Sequence, residues 1–242
     1  MKWSGEYRVL ANDVDSNDIV SASNIFRLIQ DAAYSQMEDD RPSYNELFDQ
    51  GLSFVISRIR MNAYKEIYTH DKLTVQSWAA ESRGVQFNRC YRIIRDGEVI
   101  VEAVSIWALF GINDGKLHRT SELEGRYRID DMIDMPPARF KIPDDISFEY
   151  AGSRTTTYAD VDLNGHMNNT RYPDILCSYS GNMNNKRVSS MCISYVSEAP
   201  LGEEIKIYRG YHDDVCYIRT IRPDGRVNVE AEINFTETKR AK

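Results

Sequence analysis

Hydrophobic positions change period several times along the chain, and each change marks an element. Across residues 23–37, Ile25, Leu28, Ile29, Ala32 and Ala33 fall on one stripe at the spacing of an amphipathic helix. Ser21 or Ser23 can cap its start, where the first backbone N–H groups lack partners. Strand-like runs follow at 53–64, 72–81, 86–95 and 98–111. Asp96-Gly97 between the last two predicts a hairpin, because such turns need the positive φ that glycine tolerates.

The second half repeats this plan. A helix is expected over 169–179, with Tyr172, Ile175, Leu176 and Tyr179 on one side and Pro173 confined to its first turn. Strand-like runs follow at 188–197, 203–212, 215–222 and 226–237, with the turn Asp224-Gly225 before the last. Each half thus reads strand, helix, then about four long antiparallel strands. A long helix laid on the concave face of such a sheet buries its apolar stripe in one core.

Two segments recur in matched order. Asp13-Val-Asp-Ser-Asn-Asp-Ile19 overlays Asp160-Val-Asp-Leu-Asn-Gly-His166 at an offset of 147, with Asp13, Val14, Asp15 and Asn17 retained and Ile19 standing opposite His166. Asp96-Gly-Glu-Val-Ile-Val-Glu-Ala103 recurs as Asp224-Gly-Arg-Val-Asn-Val-Glu-Ala231 at an offset of 128, identical at six of eight positions. Matched order with shrinking spacing fits two homologous domains with different loops, and neither offset fits a solenoid repeat. The expected division is an N-terminal domain over 1–134, a proline-bearing linker over 135–145, and a C-terminal domain over 146–242. Side by side they predict an α+β protein, a double hotdog with a continuous sheet and both helices inside.

Composition narrows the function classes. Of 242 residues, 42% are hydrophobic and 28% charged, enough for a sizeable core. No run reaches the roughly 18 apolar residues of a membrane span, and the start lacks an apolar signal region. Cys90, Cys177, Cys192 and Cys216 show neither CxxC pairs nor disulfide-scaffold spacing, which predicts reduced thiols and a cytoplasmic location. A net charge of −7 argues against nucleic acid as a partner. The arginines at 58 and 60, at 83, 89, 92 and 95, and the pair Lys186 and Arg187 are expected on a mixed, solvated surface. No metal and no cofactor is expected.

The candidate chemistry lies in 160–169. Asp162, Asn164 and His166 are two apart, so an extended backbone would project them to one side. The helix start behind them offers backbone N–H groups and a favourable dipole to a developing anion. An imidazole that titrates near neutrality, an amide, a carboxylate and such N–H groups are sufficient parts for hydrolysing an acyl group. A satisfied Asx turn is the competing reading of the segment alone. The loss of the imidazole from the first copy tilts the balance, since a turn needed only for folding would keep similar chemistry in both. No Gly-x-Ser-x-Gly elbow is present.

Asp162-Leu-Asn164-Gly-His166-Met-Asn168-Asn169, followed by Tyr172, closely resembles the catalytic segment of acyl-carrier-protein thioesterases of plants and bacteria. Val75-Gln-Ser-Trp78, Asn88-Arg89 and Ser105-Ile-Trp107 look like that family's first half, and Ile193-Ser-Tyr195-Val-Ser-Glu198 like the strand bearing a further catalytic carboxylate. The resemblance implies a tandem hotdog that hydrolyses fatty acyl thioesters on acyl carrier protein, whose phosphopantetheine arm holds the acyl chain. It implies a site of Asp162, Asn164, His166 and Glu198, and an acyl tunnel in the first domain. Plant members commonly carry a cysteine directly after the glutamate; Ala199 stands there, so attack by water replaces a thiol nucleophile. Cys192 and Cys177 are expected as core thiols, Tyr172 and Trp78 as core aromatics.

Three alternatives remain: an acyl-coenzyme A thioesterase, a hotdog hydratase, and a noncatalytic acyl-binding module. The hydratase motif, Asp-x-Asn-Pro-x-His, has a proline and one more residue that Asp162–His166 lacks. Whether Glu198 or His166 is the base, and whether the chain forms a homodimer, is left open by the sequence.

Overall fold

The computed structural model describes residues 2–123, 125 and 127–239; Met1 and 240–242, the outer ends of the expected domains, and Glu124 and Arg126 lie outside the described residues. The first half runs β1 (Trp3–Arg8), α1 (Ala22–Asp39), α2 (Tyr44–Asp49), β2 (Leu52–Ala63), β3 (Lys72–Ala80), β4 (Phe87–Arg95) and β5 (Glu98–Gly111). Two short strands follow, β6 (Leu117–His118) and β7 (Ile129–Asp130). The second half runs β8 (Glu149–Thr155), α3 (Tyr172–Tyr179), β9 (Lys186–Tyr195), β10 (Glu204–His212), β11 (Val215–Ile221) and β12 (Val227–Glu237).

All the strands join one sheet, whose main path is β1-β3-β4-β5-β2-β9-β12-β11-β10-β8. That order is a palindrome of corresponding strands about its centre. At the centre β2 and β9 pair antiparallel, Met61 opposite Met191 and Ile59 opposite Ile193, so the α+β double hotdog has a single continuous sheet. The turns at Asp96-Gly97 and Asp224-Gly225 fall where expected, with positive φ at Asp96 and at both glycines.

The expected stripe of α1 is buried, from Ile25 to Ala33, together with Phe26 and Met37. Its cap is Ser21, whose side chain accepts from the Asn24 N–H at 3.3 Å. The second helix departs from expectation. It is eight residues long, entered through a 3₁₀ turn at Asn169–Arg171, and packs its start against that of α1. There Asp174 accepts from the Ser21 hydroxyl at 2.8 Å and from the Ser23 N–H at 2.9 Å. α2 has no counterpart in the expected plan, although Ser43 and Glu46 close a reciprocal capping box at its start.

β5 is buried along nearly its whole length, because both its faces are covered. One face meets α1. On the other, Val104 and Ile106 join Trp78 of β3 and Cys90 of β4 against Ile133 and Ala138. The segment expected as a linker is therefore strapped onto the back of the sheet. The buried Arg60 donates to the carbonyls of Pro137 and Arg139, both at 3.0 Å, and pairs with Glu232 at 3.0 Å. Other arginines of the expected mixed surface make local pairs, such as Arg92 with Glu102 and Arg95 with Asp71. Arg89 is a correction, buried where it donates to Gln36 and Ser77. No helix among the described residues is long and apolar enough to cross a membrane.

Candidate active site

The segment after β8 is a turn rather than the extended stretch expected from its two-residue spacing. Asp162 N–H donates to the His166 carbonyl at 3.1 Å, Gly165 N–H to the Asp162 carbonyl at 3.0 Å, and Gly165 takes φ of +80°. A non-glycine residue would be strained there. Inside the loop, the Asp162 carboxylate accepts from the Asn164 N–H at 2.8 Å, an Asx turn. The Met167 N–H donates to the Ala199 carbonyl at 2.9 Å, which ties this turn to the loop after β9.

That tie brings His166 to Glu198. His166 Nε2 lies 3.5 Å from Glu198 Oε1, and Nδ1 lies 3.5 Å from the Met167 carbonyl. The two side chains differ in exposure, 21% for His166 and 71% for Glu198. Asp162, Asn164, His166 and Glu198 all line one cavity of about 500 Å³, so the structure gathers every residue expected at the site. Gln30 and Tyr34 of α1, Tyr44 and Phe48 of α2, and residues 53–57 of β2 are among its walls. The site thus lies between the halves, and its far wall comes from the half that lacks the histidine.

The helix start offers fewer free N–H groups than expected. The Thr170 N–H and hydroxyl both go to Asn168 Oδ1, at 2.9 and 2.8 Å. The Arg171 N–H goes to the Asn168 carbonyl and the Asp174 N–H to the Ser23 hydroxyl. Asn169, first residue of the 3₁₀ turn, lines the cavity.

Trp78 is a core aromatic as expected; Tyr172 is buried too but also borders the cavity. Burial pushes the Tyr172 hydroxyl up to about 12 and the Tyr34 hydroxyl still further. Ala199 is fully buried and its carbonyl holds the turn. Cys192 is buried and Cys177 half-buried; burial raises both thiols, Cys192 to about 12. A thiol held protonated is a poor nucleophile.

A second, apolar cavity of about 450 Å³ lies in the first half, lined by Met37, Phe87, Leu123 and Tyr127. Phe54 and Trp107 wall both cavities. Sequence reasoning missed α2 and these aromatics as parts of the site. The Ser43-x-x-Glu46 capping signature was the available signal for α2; which strand face the aromatics occupy is set by the sheet.

Comparison with known proteins bears on the family and the fold. Residues 1–123 match the family model described as the acyl-ACP thioesterase N-terminal domain, and residues 149–237 match the model of its C-terminal domain. A chloroplastic palmitoyl-acyl carrier protein thioesterase of Arabidopsis thaliana is 21% identical over 209 residues, 79% of this chain and 51% of that protein. The chain therefore spans about half the length of that curated relative. An acyl-ACP thioesterase from Bacteroides thetaiotaomicron superposes with a TM-score of 0.87 at 21% identity, over 97% of this chain and 98% of that one. The 12:0-ACP thioesterase from Umbellularia californica does so with a TM-score of 0.80 at 15% identity, over 98% of each chain. These two likenesses bear on the fold; the family follows from the two domain models, which between them take in both halves of the molecule. The chain belongs to the acyl-ACP thioesterase family.

Proposed function

We propose that the chain hydrolyses the thioester of fatty acyl–acyl carrier protein, releasing a free fatty acid and the carrier's phosphopantetheine thiol. The observation that carries this reading is the His166–Glu198 pair in a cavity that shares two aromatic walls with an apolar one. The first cavity would receive the thioester and the end of the pantetheine arm. The second would take the acyl chain, in the N-terminal of two modules joined through 135–145.

Glu198, exposed at the cavity, takes a proton from water as the water oxygen attacks the carbonyl carbon. The negative charge on the carbonyl oxygen is met by the Asn164 amide and the backbone at Asn169. The carbon–sulfur bond then breaks, and the departing thiolate takes the proton back through Glu198 or His166. His166 holds Glu198 in place and shares its proton. Asp162 acts through the backbone by closing the turn that presents Asn164 and His166. General-base assistance of this kind accounts for about 10²–10⁴-fold in rate, and one oxyanion donor for about 10²–10³-fold. With Ala199 buried after the glutamate and Cys192 protonated, the route needs no acyl-enzyme. Four unpaired thiols support a reducing, cytoplasmic setting.

The test is release of free thiol from acyl chains of graded length, each offered on acyl carrier protein and on coenzyme A. The carrier-protein thioester is expected to be the better substrate by kcat/KM. Preference for the coenzyme A ester of the same chain would replace the carrier while keeping the chemistry; no hydrolysis of either would remove the proposal.

A further inference from the structure

We infer that Asn228, with Thr220 and Tyr172, is a positioning device for the loop that carries Glu198. The inference rests on the reading of Glu198 as the base, and it starts from the one apolar-to-polar difference inside the second repeated segment. Asn228 stands where the first copy has Ile100.

Strand pairing shows why that position matters. Thr220 pairs with Val229 and Ile221 with Val227, which leaves Asn228 as the extra residue of a bulge. Ile93 pairs with Val101 and Ile94 with Val99, which leaves Ile100 extra at the same place. A bulge re-aims the side chain it carries. In the second half that side chain is fully buried and fully engaged. Asn228 Oδ1 accepts from the Thr220 hydroxyl at 2.9 Å, and Nδ2 donates to the Tyr172 hydroxyl at 3.0 Å and to the Ser197 carbonyl. The Asn228 carbonyl accepts from the N–H groups of Val196 at 2.9 Å and Ser197 at 3.1 Å. The Ser197 hydroxyl reaches the Val227 carbonyl at 2.7 Å. The two residues before Glu198 are therefore pinned from several sides, while Glu198 itself stands exposed.

In the first half every polar member is replaced. Ile100, Ile93 and Ile25 occupy the positions of Asn228, Thr220 and Tyr172, and all three are buried. The backbone bond survives, from the Tyr64 N–H to the Ile100 carbonyl at 2.9 Å; the side-chain bonds do not. Three isoleucines are thus sufficient to fold this corner. Buried hydroxyls and amides carry a desolvation penalty that an apolar corner avoids. A fully connected network in return fixes one geometry. The half that keeps the polar corner is the half that keeps the imidazole. A loop held to within a few tenths of an ångström is what a proton-transferring carboxylate requires, since a misplacement of about 1 Å can cost about 10²-fold in rate.

The test compares kcat and KM for Asn228→Ile, which installs the residue of the first copy, in the wild-type and in a Glu198→Gln background. Asn228→Ile is expected to lower kcat at least about tenfold with KM changed less than about threefold. In the Glu198→Gln background the same change should cost less than about twofold, because groups acting as a unit are not additive. Full kcat in folded Asn228→Ile, or an undiminished effect without the carboxylate, would overturn the inference. Should Asn228→Ile fail to fold, the near-isosteric double variant Thr220→Val/Tyr172→Phe carries the same comparison, and full kcat there overturns it equally. Wild-type turnover by Glu198→Gln alone would instead remove the base assignment, whatever Asn228 does.

Discussion

The turn at 13–21 and the turn at 160–168 share most of their backbone bonds. Asp15 N–H reaches the Ile19 carbonyl at 2.8 Å where Asp162 N–H reaches that of His166 at 3.1 Å. The Asn17 N–H meets the Asp15 carboxylate at 2.7 Å, as Asn164 N–H meets Asp162 at 2.8 Å. Val20 N–H to Ile67 and Met167 N–H to Ala199 are both 2.9 Å. That last correspondence makes Glu66 the counterpart of Glu198. The aspartate carboxylate and the backbone N–H two residues on therefore serve the turn in both halves, and the aspartate on its own marks no chemistry. The halves differ in the side chain at 19 and 166, and in what surrounds the two glutamates.

Glu66 is held fast. Its side chain is 6% exposed, accepts from the Tyr68 hydroxyl at 3.0 Å and the Lys239 N–H at 2.8 Å, and faces Arg187 at 3.9 Å. Burial alone would raise its pKa, and these partners outweigh it to hold the carboxyl below its usual range. Glu198, by contrast, is open to water. A cavity alone does not separate the two, because the turn at Ile19 also borders one, of about 530 Å³. A carboxylate held below its usual range by such partners is a poor acceptor for a proton from water, and among the described residues no imidazole pairs with it. What decides activity is how the acid and the imidazole are presented; the polar letters in the turn are common to both copies.

The largest effect that tests this contrast is at the imidazole. His166→Ala should lower kcat by about 10²-fold or more, and Asn164→Ala by at least about tenfold, with melting temperatures unchanged. Near-normal hydrolysis by both variants would dissolve the distinction between the halves. Next in size is Ile19→Ala, which removes a buried side chain and should cost about 2 kcal/mol by urea unfolding while kcat stays within about threefold. Loss of turnover in a folded Ile19→Ala protein would show that the first turn still takes part in the reaction. Smaller again is Glu66→Gln, expected to cost about 1 kcal/mol at neutral pH with little change in turnover. Because the Glu66 carboxyl is depressed, its contribution is present above the ordinary value of 4.5 and is lost as pH falls through the folded value. The two proteins should therefore converge in stability in acid; a constant difference down to low pH would mean that packing, not charge, holds the residue. The smallest effect is none at all. Thiol alkylation at pH 8 should leave hydrolysis intact, since burial raises Cys192 to about 12 and Cys216 to about 11.

Much of this fold was legible residue by residue. The stripe Ile25 to Ala33, the turns at Asp96-Gly97 and Asp224-Gly225, and the repeated order of strands predict the paired sheets, because period and turn chemistry are local properties. The helix expected over 169–179 ends at Tyr179 as expected, but Asn168 caps a 3₁₀ first turn and only the eight residues after it are α-helical. The site was legible in part. His166 stood out against Ile19, but the weight given to Asp162 was partly the weight of a turn that both halves need. Arg60 and Arg89 are expected at the surface because charged residues usually are; Glu232 and two carbonyls around Arg60, and Gln36 with Ser77 around Arg89, make the exception possible.

From its sequence alone this protein is a duplicated sheet-and-helix module with one imidazole-bearing turn, since alternation, turn residues and repeats are written in short windows. Tertiary structure alone decided that Glu198 stands 3.5 Å from His166, that Glu66 is tied up, and that a cavity spans both halves. Those facts depend on β2 meeting β9 and on a bulge opposite Thr220, long-range pairings whose consequences no local window contains.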